Sequence, residues 1–368
     1  MHLIMETIVI KIGSSIITTP EGLNETVINR LARDISALHD IGHQTVVVSS
    51  GAVAAGRGKL GIEGQINDIN IKQAAAAAGQ SSLVWAYEKA FSLYNKKIAQ
   101  VLLTRDVFSV RQRYLNARNT LRTLLDFHII PIINENDTVS IDELKFGDND
   151  RLAALVASLL TADRLVILSD VDGLYDADPG KNESARLISV VEKITPELEK
   201  AACGTVSICG TGGMSSKLVA AKMATEDGIA VNIINGNSDG VLTTIFNGSE
   251  AGTRFEPTAK KYCARKGWIA FGIRSKGRLT LDDGAAKAIL SGGKSLLPSG
   301  IKSIHGVFER GDAVYCVNPA GKQIAKGLVN YGNAELLKII GHKTSQIEGI
   351  LGFKYSDEVI HRDNMTIL

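Results

Sequence analysis

The sequence predicts an α/β protein: a three-layer αβα sandwich followed by a small, mostly β domain. Over roughly the first 250 residues, short apolar runs rich in Val and Ile alternate with helical patterns. Such runs are typical of strands buried on both faces of a parallel sheet, and their alternation with helices predicts a helical layer on each face. The predicted strands are Thr7–Ile12, Thr45–Ser49, Ile98–Leu103, Ile129–Ile133, Arg164–Ser169 and Ala230–Ile234.

The first long helix shows both of its ends in the sequence. Asn24 is predicted to be its N-cap, and Gly42 is predicted to stop it. Between them, apolar residues at positions 27, 28, 31, 35 and 38 fall on one helical face. This spacing predicts an amphipathic helix that packs against the sheet.

A second domain is predicted because the pattern changes after about residue 255, where segments become shorter and glycine-punctuated. A chain of 368 residues also exceeds what one hydrophobic core usually serves. The predicted strands are Trp268–Phe271, Arg278–Leu281, Ala313–Val317 and Gln323–Val329, and the predicted helices are Asp283–Ser291, Asn333–Ile340 and Ser345–Leu351. The domains are therefore predicted at 1–258 and 275–353, with a linker at about 259–274 and a tail at 354–368.

Composition excludes some classes of protein. The chain has 45% hydrophobic and 22% charged residues, and no apolar run of about 18 residues that would span a membrane. Its four cysteines form no Cys-x-x-Cys pair, which favours free thiols in a reducing cytoplasm. Residues 263–368 carry 15 Lys/Arg and 9 Asp/Glu, a net charge of +6, although the whole chain has only +2. A basic C-terminal third permits contact with a polyanion without requiring it.

Polar and glycine-rich residues follow the predicted strands. Lys11 lies within an otherwise apolar strand, where burial is costly unless an anion meets the charge, and Gly13-Ser14-Ser15 follow it. The second strand ends in Ser49-Ser50-Gly51-Ala52 and continues into a helix of small residues. Each segment alone has an ordinary explanation, a lysine at a sheet edge or a capped turn. In open α/β sheets, however, ligands bind beyond the carboxyl ends of the strands, so we expect these segments to converge.

Three further segments add carboxylates, amides and a glycine loop. Asn134–Asp137 and Gly147–Asp150 could bind an ammonium group, a carboxylate or the water shell of Mg²⁺, although Asp150 alone is as well explained as a helix N-cap. The fifth strand ends at Ser169-Asp170. Residues Gly210–Lys217 place a glycine loop at a helix N-terminus with a lysine in the first turns, which predicts a phosphate cradle; a plain flexible loop is the alternative.

Taken together, these segments resemble the amino acid kinase family, and most of all its bacterial members that phosphorylate free glutamate. Their order and spacing are more specific than any one of them. The segment Ser295–Ile301 is similar to part of a PUA domain, which those members carry. The stretches that carry the resemblance are Val9–Ser15, Val48–Ala52, Leu115–Thr120, Ile133–Asp137, Gly147–Asp150 and Gly210–Lys217.

The resemblance implies ATP-dependent phosphorylation of the side-chain carboxylate of L-glutamate to L-glutamyl 5-phosphate. We expect Mg²⁺ to be carried mainly by ATP phosphates and water, with few or no direct protein ligands. It implies that Lys11 and Lys217 act on the transferring phosphoryl group and that Asp150 organises them. The implied glutamate-binding residues are Ser50, Asn134, Asp137, Asp148 and Asn149. The implied ATP-binding residues are Lys11, Ser169, Asp170, Thr211, Gly212, Gly213, Met214, Ser215, Ser216 and Lys217.

The resemblance also suggests partners: proline as a feedback inhibitor, a second copy of the chain in a dimer or tetramer, and glutamate-5-semialdehyde dehydrogenase. Sibling kinases acting on acetylglutamate, aspartate, carbamate or UMP are the alternative within the enzyme class. An RNA-binding or RNA-modifying protein is the alternative from another class, because PUA domains often contact RNA and this one is basic.

Overall fold

The computed structural model divides by internal contacts into two units, Met1–Lys261 and Tyr262–Leu368. Among the residues that it describes, no helix is both long and apolar enough to cross a membrane. The described residues are 5–20, 22–62, 64, 66–139, 149–177, 179–180, 182, 184–196, 198–199, 213–246, 251–258 and 268–368.

The described residues of the first unit form a sheet of eight strands. In chain order the strands of this unit are β1 (Thr7–Ile12), β2 (Thr18–Thr19), β3 (Gly22–Leu23), β4 (Gln44–Ser49), β5 (Lys97–Leu103), β6 (Ile129–Glu135), β7 (Arg164–Ser169), β8 (Val190–Val191), β9 (Ala230–Asn235) and β10 (Thr253–Phe255). The order across the sheet is β5-β6-β4-β1-β7-β9-β10-β8, and within the described ranges β2 and β3 form a separate two-stranded sheet. β10 runs antiparallel to β9, and the other described pairings in the large sheet are parallel. β1 therefore lies near the middle, between β4 and β7.

The helices of this unit are α1 (Ser14–Ile17), α2 (Glu25–Asp40), α3 (Ala52–Leu60), α4 (Ile69–Ser92), α5 (Arg105–Ser109), α6 (Arg111–Asp126), α7 (Asn149–Leu160), α8 (Met214–Glu226) and α9 (Val241–Phe246). The predicted ends of α2 are confirmed. The Asn24 side chain accepts a hydrogen bond from the Val27 N–H at 3.2 Å. Gly42, just past the helix, has the left-handed φ of +99° that favours glycine.

Successive side chains of β1 point alternately to the two helical layers. Ile8, Ile10 and Ile12 pack into one core with residues of α2, α4 and α9. Because successive side chains of a strand point to opposite faces, Lys11 emerges on the other face, where α7 lies against β1. The predicted three-layer sandwich is confirmed, and the lysine of β1 points into one of its layers.

Helices α3 and α4 approach each other unusually closely. A Cβ built on Gly56 would lie 1.8 Å from the carbonyl oxygen of Ala75, and one built on Gly79 would lie 1.9 Å from that of Ala52. Only glycine allows two helix backbones to come this near. The contact fixes the start of α3 immediately after the end of β4.

A buried carboxyl group lies between α7 and α8 and should make stability depend on pH. Asp227 is 5% exposed, accepts a hydrogen bond from the Ser158 hydroxyl, and is desolvated, which raises its pKa from 3.8 to about 6. A raised folded-state pKa means that folding takes up a proton between the two values, so the free energy of unfolding should fall as pH rises from about 4 to about 6. Asp227→Asn should flatten that window and stabilise the protein by roughly 1–3 kcal/mol above pH 6, measured by urea unfolding.

Glu88→Gln is the matched control for this prediction, because Glu88 is an exposed carboxylate on α4. It should leave the pH profile of stability unchanged. An Asp227→Asn variant with the wild-type slope between pH 4 and pH 6 would contradict the assignment of that slope to Asp227.

The second unit is a five-stranded sheet in the order β12-β11-β13-β14-β15 with its own apolar core, formed by β11 (Gly277–Leu281), β12 (Ile301–Gly306), β13 (Ala313–Val317), β14 (Gln323–Leu328) and β15 (Met365–Ile367). Its helices are α10 (Asp283–Gly292), α11 (Asn333–Ile339) and α12 (Ile347–Leu351). The sequence did not predict β12 or β15. Because β15 pairs with β14, the segment 354–368, expected to be a tail, contributes an edge strand to this sheet.

One predicted strand is wrong. Trp268–Phe271 was expected to be extended, but the structure has a π-helical turn at Trp268–Gly272. The Lys326 ammonium group donates to the carbonyl oxygens of Ala270, at 3.0 Å, and Ile273, which satisfies acceptors at the end of this turn. An apolar run of four residues is too short for its period to distinguish a helix from a strand.

Candidate active site

A pocket of about 520 Å³ opens at the carboxyl ends of the central strands β1, β4, β6 and β7. This is the position at which open α/β sheets bind ligands, and the volume suits small-molecule substrates. The described lining residues are Lys11, Gly13, Ser14, Ser15, Ser50, Gly51, Ala52, Val53, Ala54, Arg57, Lys72, Asn134, Glu135, Asp137, Asn149, Leu168, Ser169, Asp170 and Lys217.

Two lysines share one buried carboxylate at this pocket. Lys11 Nζ lies 2.5 Å from Asp150 Oδ1, and Lys217 Nζ lies 3.7 Å from Asp150 Oδ2. The Asp150 side chain is fully buried, and the two lysine side chains are 6% and 7% exposed. Buried charges are tolerated when paired, so the carboxylate holds both ammonium groups at the pocket wall.

Three separate elements bring this group together. Lys11 comes from the penultimate position of β1, Asp150 from the first turn of α7, and Lys217 from the first turn of α8. The Ser216 hydroxyl donates to Asp150 Oδ2 at 3.0 Å and so ties the start of α8 to that of α7. Asp150 is therefore more than a helix cap, because it links two helices to the central strand.

Asn149 is the centre of a second, uncharged network beside the lysines. Its amide nitrogen donates to the Ser49 carbonyl oxygen at 2.6 Å, to Ser50 Oγ at 3.0 Å and to Asn134 Oδ1 at 2.9 Å. The Asn134 amide group in turn donates to Gln80 Oε1 of α4 at 2.9 Å. The network fixes the ends of β4 and β6 relative to α7 and leaves polar groups facing the pocket.

The end of β4 is held from behind by a buried phenol. The Ser49 and Tyr87 hydroxyl groups lie 2.9 Å apart, and burial raises the pKa of Tyr87 far above its usual value, which keeps it neutral. Gly51 follows with a φ of +100°, a conformation that favours glycine. The chain can thus turn sharply from β4 into α3 at the pocket.

The opposite side of the pocket is formed by β1 and β7. The Gly13 N–H donates to the Leu168 carbonyl oxygen at 3.3 Å, which places the hydroxyl groups of Ser14 and Ser15 in the wall. At the end of β7 the Ser169 hydroxyl donates to Asp170 Oδ1 at 3.1 Å. Ser169 and Asp170, which the resemblance assigns to ATP, are thus in the same pocket as Lys11 and Lys217.

The structure brings together most of the predicted site residues. Ser50, Asn134, Asp137 and Asn149 line the pocket with the lysines, and Ser216 contacts Asp150. Gly213, Met214 and Ser215 form the start of α8, but they are not among the described lining residues. Asp148, Thr211 and Gly212 lie outside the described residues. The roles of all these residues remain predictions.

Sequence reasoning missed several residues of the pocket. Arg57 of α3 and Lys72 of α4 also line it, and Gln80 supports Asn134. The only sequence signal that could have found the two cations was the small-residue character of α3 and α4, which allows these helices to approach the site.

Known proteins resemble this chain over its whole length. The sequence model of the amino acid kinase family matches residues 6–235, and that of the PUA domain matches residues 277–351. The chain is 51% identical over 363 residues to a glutamate 5-kinase of Syntrophotalea carbinolica, covering 99% of this chain and 97% of that protein. It is 53% identical over 365 residues to a glutamate 5-kinase of Geobacter metallireducens, covering 99% and 98%.

Among solved structures, the carbamate kinase of Giardia lamblia bound to AMP-PNP matches with a TM-score of 0.51 and 16% identity, covering 68% of this chain and 98% of that one. At that identity the match supports the fold alone. The chain belongs to the amino acid kinase family. Its second unit contains a PUA domain.

Proposed function

We propose that this protein transfers the γ-phosphoryl group of ATP to the side-chain carboxylate of L-glutamate, giving L-glutamyl 5-phosphate in the first step of proline biosynthesis. The observation that carries the proposal is the pair of lysines, Lys11 and Lys217, held by Asp150 at the wall of the pocket. The near-full-length similarity to proteins named glutamate 5-kinase supports glutamate over the substrates of sibling kinases.

The chemistry needs positive charge rather than a base. A glutamate side chain, with a pKa of about 4.3, is already ionised at neutral pH and can attack the γ-phosphorus directly. A new carboxylate–phosphorus bond forms while the bond to the β,γ-bridging oxygen breaks, and ADP leaves. Lys11 and Lys217 stabilise the charge that develops on the transferring group, so catalysis consists of positioning and electrostatics.

The pocket suits Mg²⁺ that enters bound to ATP. The described lining includes oxygen atoms, such as those of Ser15 and Asp170, that can accept hydrogen bonds from the waters of a hydrated ion. Among the described residues, no group of three His, Cys, Asp or Glu side chains could hold a metal by itself. When bound, the ion would neutralise phosphate charge, and the protein would supply the two lysines.

An ADP-release assay across free amino acids tests the proposal. Glutamate with ATP and Mg²⁺ should give ADP together with an acyl phosphate that hydroxylamine traps as the hydroxamate. Turnover of acetylglutamate, aspartate, carbamate or UMP far above that of glutamate would show that the substrate assignment is wrong.

Proline should inhibit the reaction by competing with glutamate. Proline shares the α-amino and α-carboxylate groups of glutamate, and Asp137 and Asn149 line the pocket where these groups would bind. Initial rates at several proline concentrations should therefore show a raised KM for glutamate and an unchanged kcat. Inhibition that no glutamate concentration relieves would instead require a separate proline site.

The first domain should keep its activity without the second. All the assigned site residues precede residue 220, and the contact units divide at Lys261. We therefore expect residues 1–258 to phosphorylate glutamate with kcat within several-fold of the full-length value. A truncated protein that is folded by circular dichroism but inactive would show that the PUA domain completes the active site or the assembly.

RNA binding by the PUA domain is a second candidate function, favoured by the net charge of +6 over residues 263–368. A solvated basic surface would explain the same excess. Binding of a mixed RNA pool to the full-length protein should then weaken steeply with salt and be lost on truncation to residues 1–258. No binding at low salt would remove this candidate.

Assembly of several copies and contact with glutamate-5-semialdehyde dehydrogenase remain proposals. Supporting self-assembly, Leu93 and Phe127 are 66% and 71% exposed, and they precede β5 and β6 at one edge of the sheet. Light scattering should give the mass of a dimer or tetramer, and a monomer mass at micromolar concentration would contradict this proposal. Co-elution with the purified dehydrogenase tests the second contact.

A further inference from the structure

Two cations in the pocket wall have no place in the phosphoryl-transfer chemistry. Arg57 lies in the last turn of α3, and Lys72 lies in the first turn of α4. Arg57 follows Val53 and Ala54 at spacings of four and three residues, so these three share the helix face that lines the pocket. The close packing of α3 against α4 brings both cations to this wall.

The order of the sheet separates two sides of the pocket. β7, with Ser169 and Asp170 at its end, lies on one side of β1, and α8 with Lys217 approaches from that side. β4 and β6 lie on the other side and carry Ser50, Asn134 and Asp137. Arg57 and Lys72 belong to the two helices that follow β4. They therefore stand on the amino-acid side of β1, away from the predicted nucleotide segments.

The pairing of the cations also sets them apart. Lys11 and Lys217 share Asp150, and Lys59, also on α3, donates to the Ala78 carbonyl oxygen and to Ser81 Oγ of α4. Within the described part of the chain, neither the Arg57 guanidinium nor the Lys72 ammonium group has a hydrogen-bond or ion-pair partner. A charge in a pocket wall without a protein partner is available to a ligand of opposite charge.

We propose that Arg57 and Lys72 bind the α-carboxylate of the amino-acid substrate and so select substrates that carry one. The inference rests on the proposed function and extends it to the non-reacting end of glutamate. When the reacting carboxylate lies at Lys11 and Lys217, the α-carboxylate of glutamate is a second negative charge that those two lysines do not bind. Arg57 and Lys72 supply the complementary charge, and Asp137 lies in the wall of the same pocket.

The alternative is that these cations attract the phosphates of ATP. The two roles differ in which KM they control, because removing a residue that contacts one substrate in the ground state mainly raises the KM for that substrate. They also differ toward 4-aminobutyrate, which is glutamate without its α-carboxylate. If Arg57 and Lys72 bind the α-carboxylate, replacing them should reduce the preference of the enzyme for glutamate over 4-aminobutyrate.

The experiment compares wild type with Arg57→Gln and Lys72→Gln in steady-state assays of the full-length protein. Each variant should raise the KM for glutamate about 10- to 100-fold, as expected for the loss of one charge-assisted hydrogen bond, and change the KM for ATP less than twofold. The kcat/KM ratio of glutamate to 4-aminobutyrate should fall at least tenfold. Lys59→Gln is the matched control, since it removes a cation from the same helix without reaching the pocket, and it should change none of these values.

The outcomes separate the inference from the function on which it rests. Wild-type turnover of glutamate combined with unchanged glutamate KM in both variants would overturn the inference and leave the function standing. A rise in the KM for ATP, or equal losses toward glutamate and 4-aminobutyrate, would also overturn it. A wild-type protein that releases no ADP with glutamate would overturn the function, and the inference with it.

Discussion

Replacing Lys217 or Lys11 with alanine should lower kcat for glutamate phosphorylation by about 10²- to 10³-fold, the usual cost of removing one preorganised group from a transition-state charge. Each lysine is buried at the pocket beside Asp150, so its charge is poorly screened by water and acts on whatever binds there. The KM for glutamate should change much less, because the stabilisation grows as the phosphoryl group is transferred. Steady-state kinetics with ADP detection measures both parameters.

Lys222→Ala is the matched control on the same helix. Lys222 lies five residues after Lys217 in α8, is 43% exposed and pairs with Glu199 at 2.6 Å. Its removal should leave kcat within about twofold of wild type, since exposed ion pairs contribute little. A near-normal kcat in Lys217→Ala or Lys11→Ala would remove that lysine from the mechanism.

Six strands of the central sheet could be predicted because most of them are buried on both faces and read as continuous apolar runs. The short strands β8 and β10 were not predicted, and the end of β6 was predicted too early, at Ile133, because polar residues follow. In the structure the ladder with β5 continues through Asn134 and Glu135. The strand itself therefore carries residues that line the pocket. Polar residues that suggest a loop in the sequence belong here to a strand, because they face a candidate site.

The site was partly predictable because glycine, hydroxyl or carboxylate residues follow the apolar strands in the sequence. Asp150 shows the limit of this reasoning. Its position at the start of a helix explains it equally well as a cap, and only the tertiary contact of Lys11 and Lys217 reveals what it holds. The local sequence does not indicate which helix N-termini lie close together in the folded protein.

Arg57 and Lys72 could not be predicted because their place in the pocket depends on how closely two helices pack. In sequence they are ordinary basic residues in helices rich in small residues. In the C-terminal unit, β15 was missed for a related reason: it is a three-residue edge strand that pairs with β14. Short strands take their structure from neighbours distant in sequence.

Gly79→Ala should both destabilise the first unit and weaken glutamate binding, although alanine is a better helix former by about 1 kcal/mol. The added Cβ would lie 1.9 Å from the Ala52 carbonyl oxygen and 2.3 Å from the Gly56 nitrogen. Both are backbone atoms, so the clash can be relieved only by moving α3 and α4 apart, at a cost of roughly 1–3 kcal/mol or more. Thermal unfolding should show a Tm lowered by about 3–10 °C.

The same separation should reach the pocket, because α3 begins at Ala52, directly after Ser50 and Gly51 in the wall. The KM for glutamate should therefore rise more than the KM for ATP, whose predicted segments lie at the end of β7 and at the start of α8. Gly349→Ala is the matched control: Gly349 is also inside a helix, and nothing lies within 4 Å of a Cβ built there. It should keep or slightly raise Tm and leave both KM values unchanged. If Gly79→Ala instead behaves like this control, the approach of α3 to α4 is not what sets the amino-acid side of the pocket, and the positions of Arg57 and Lys72 must be fixed by other contacts.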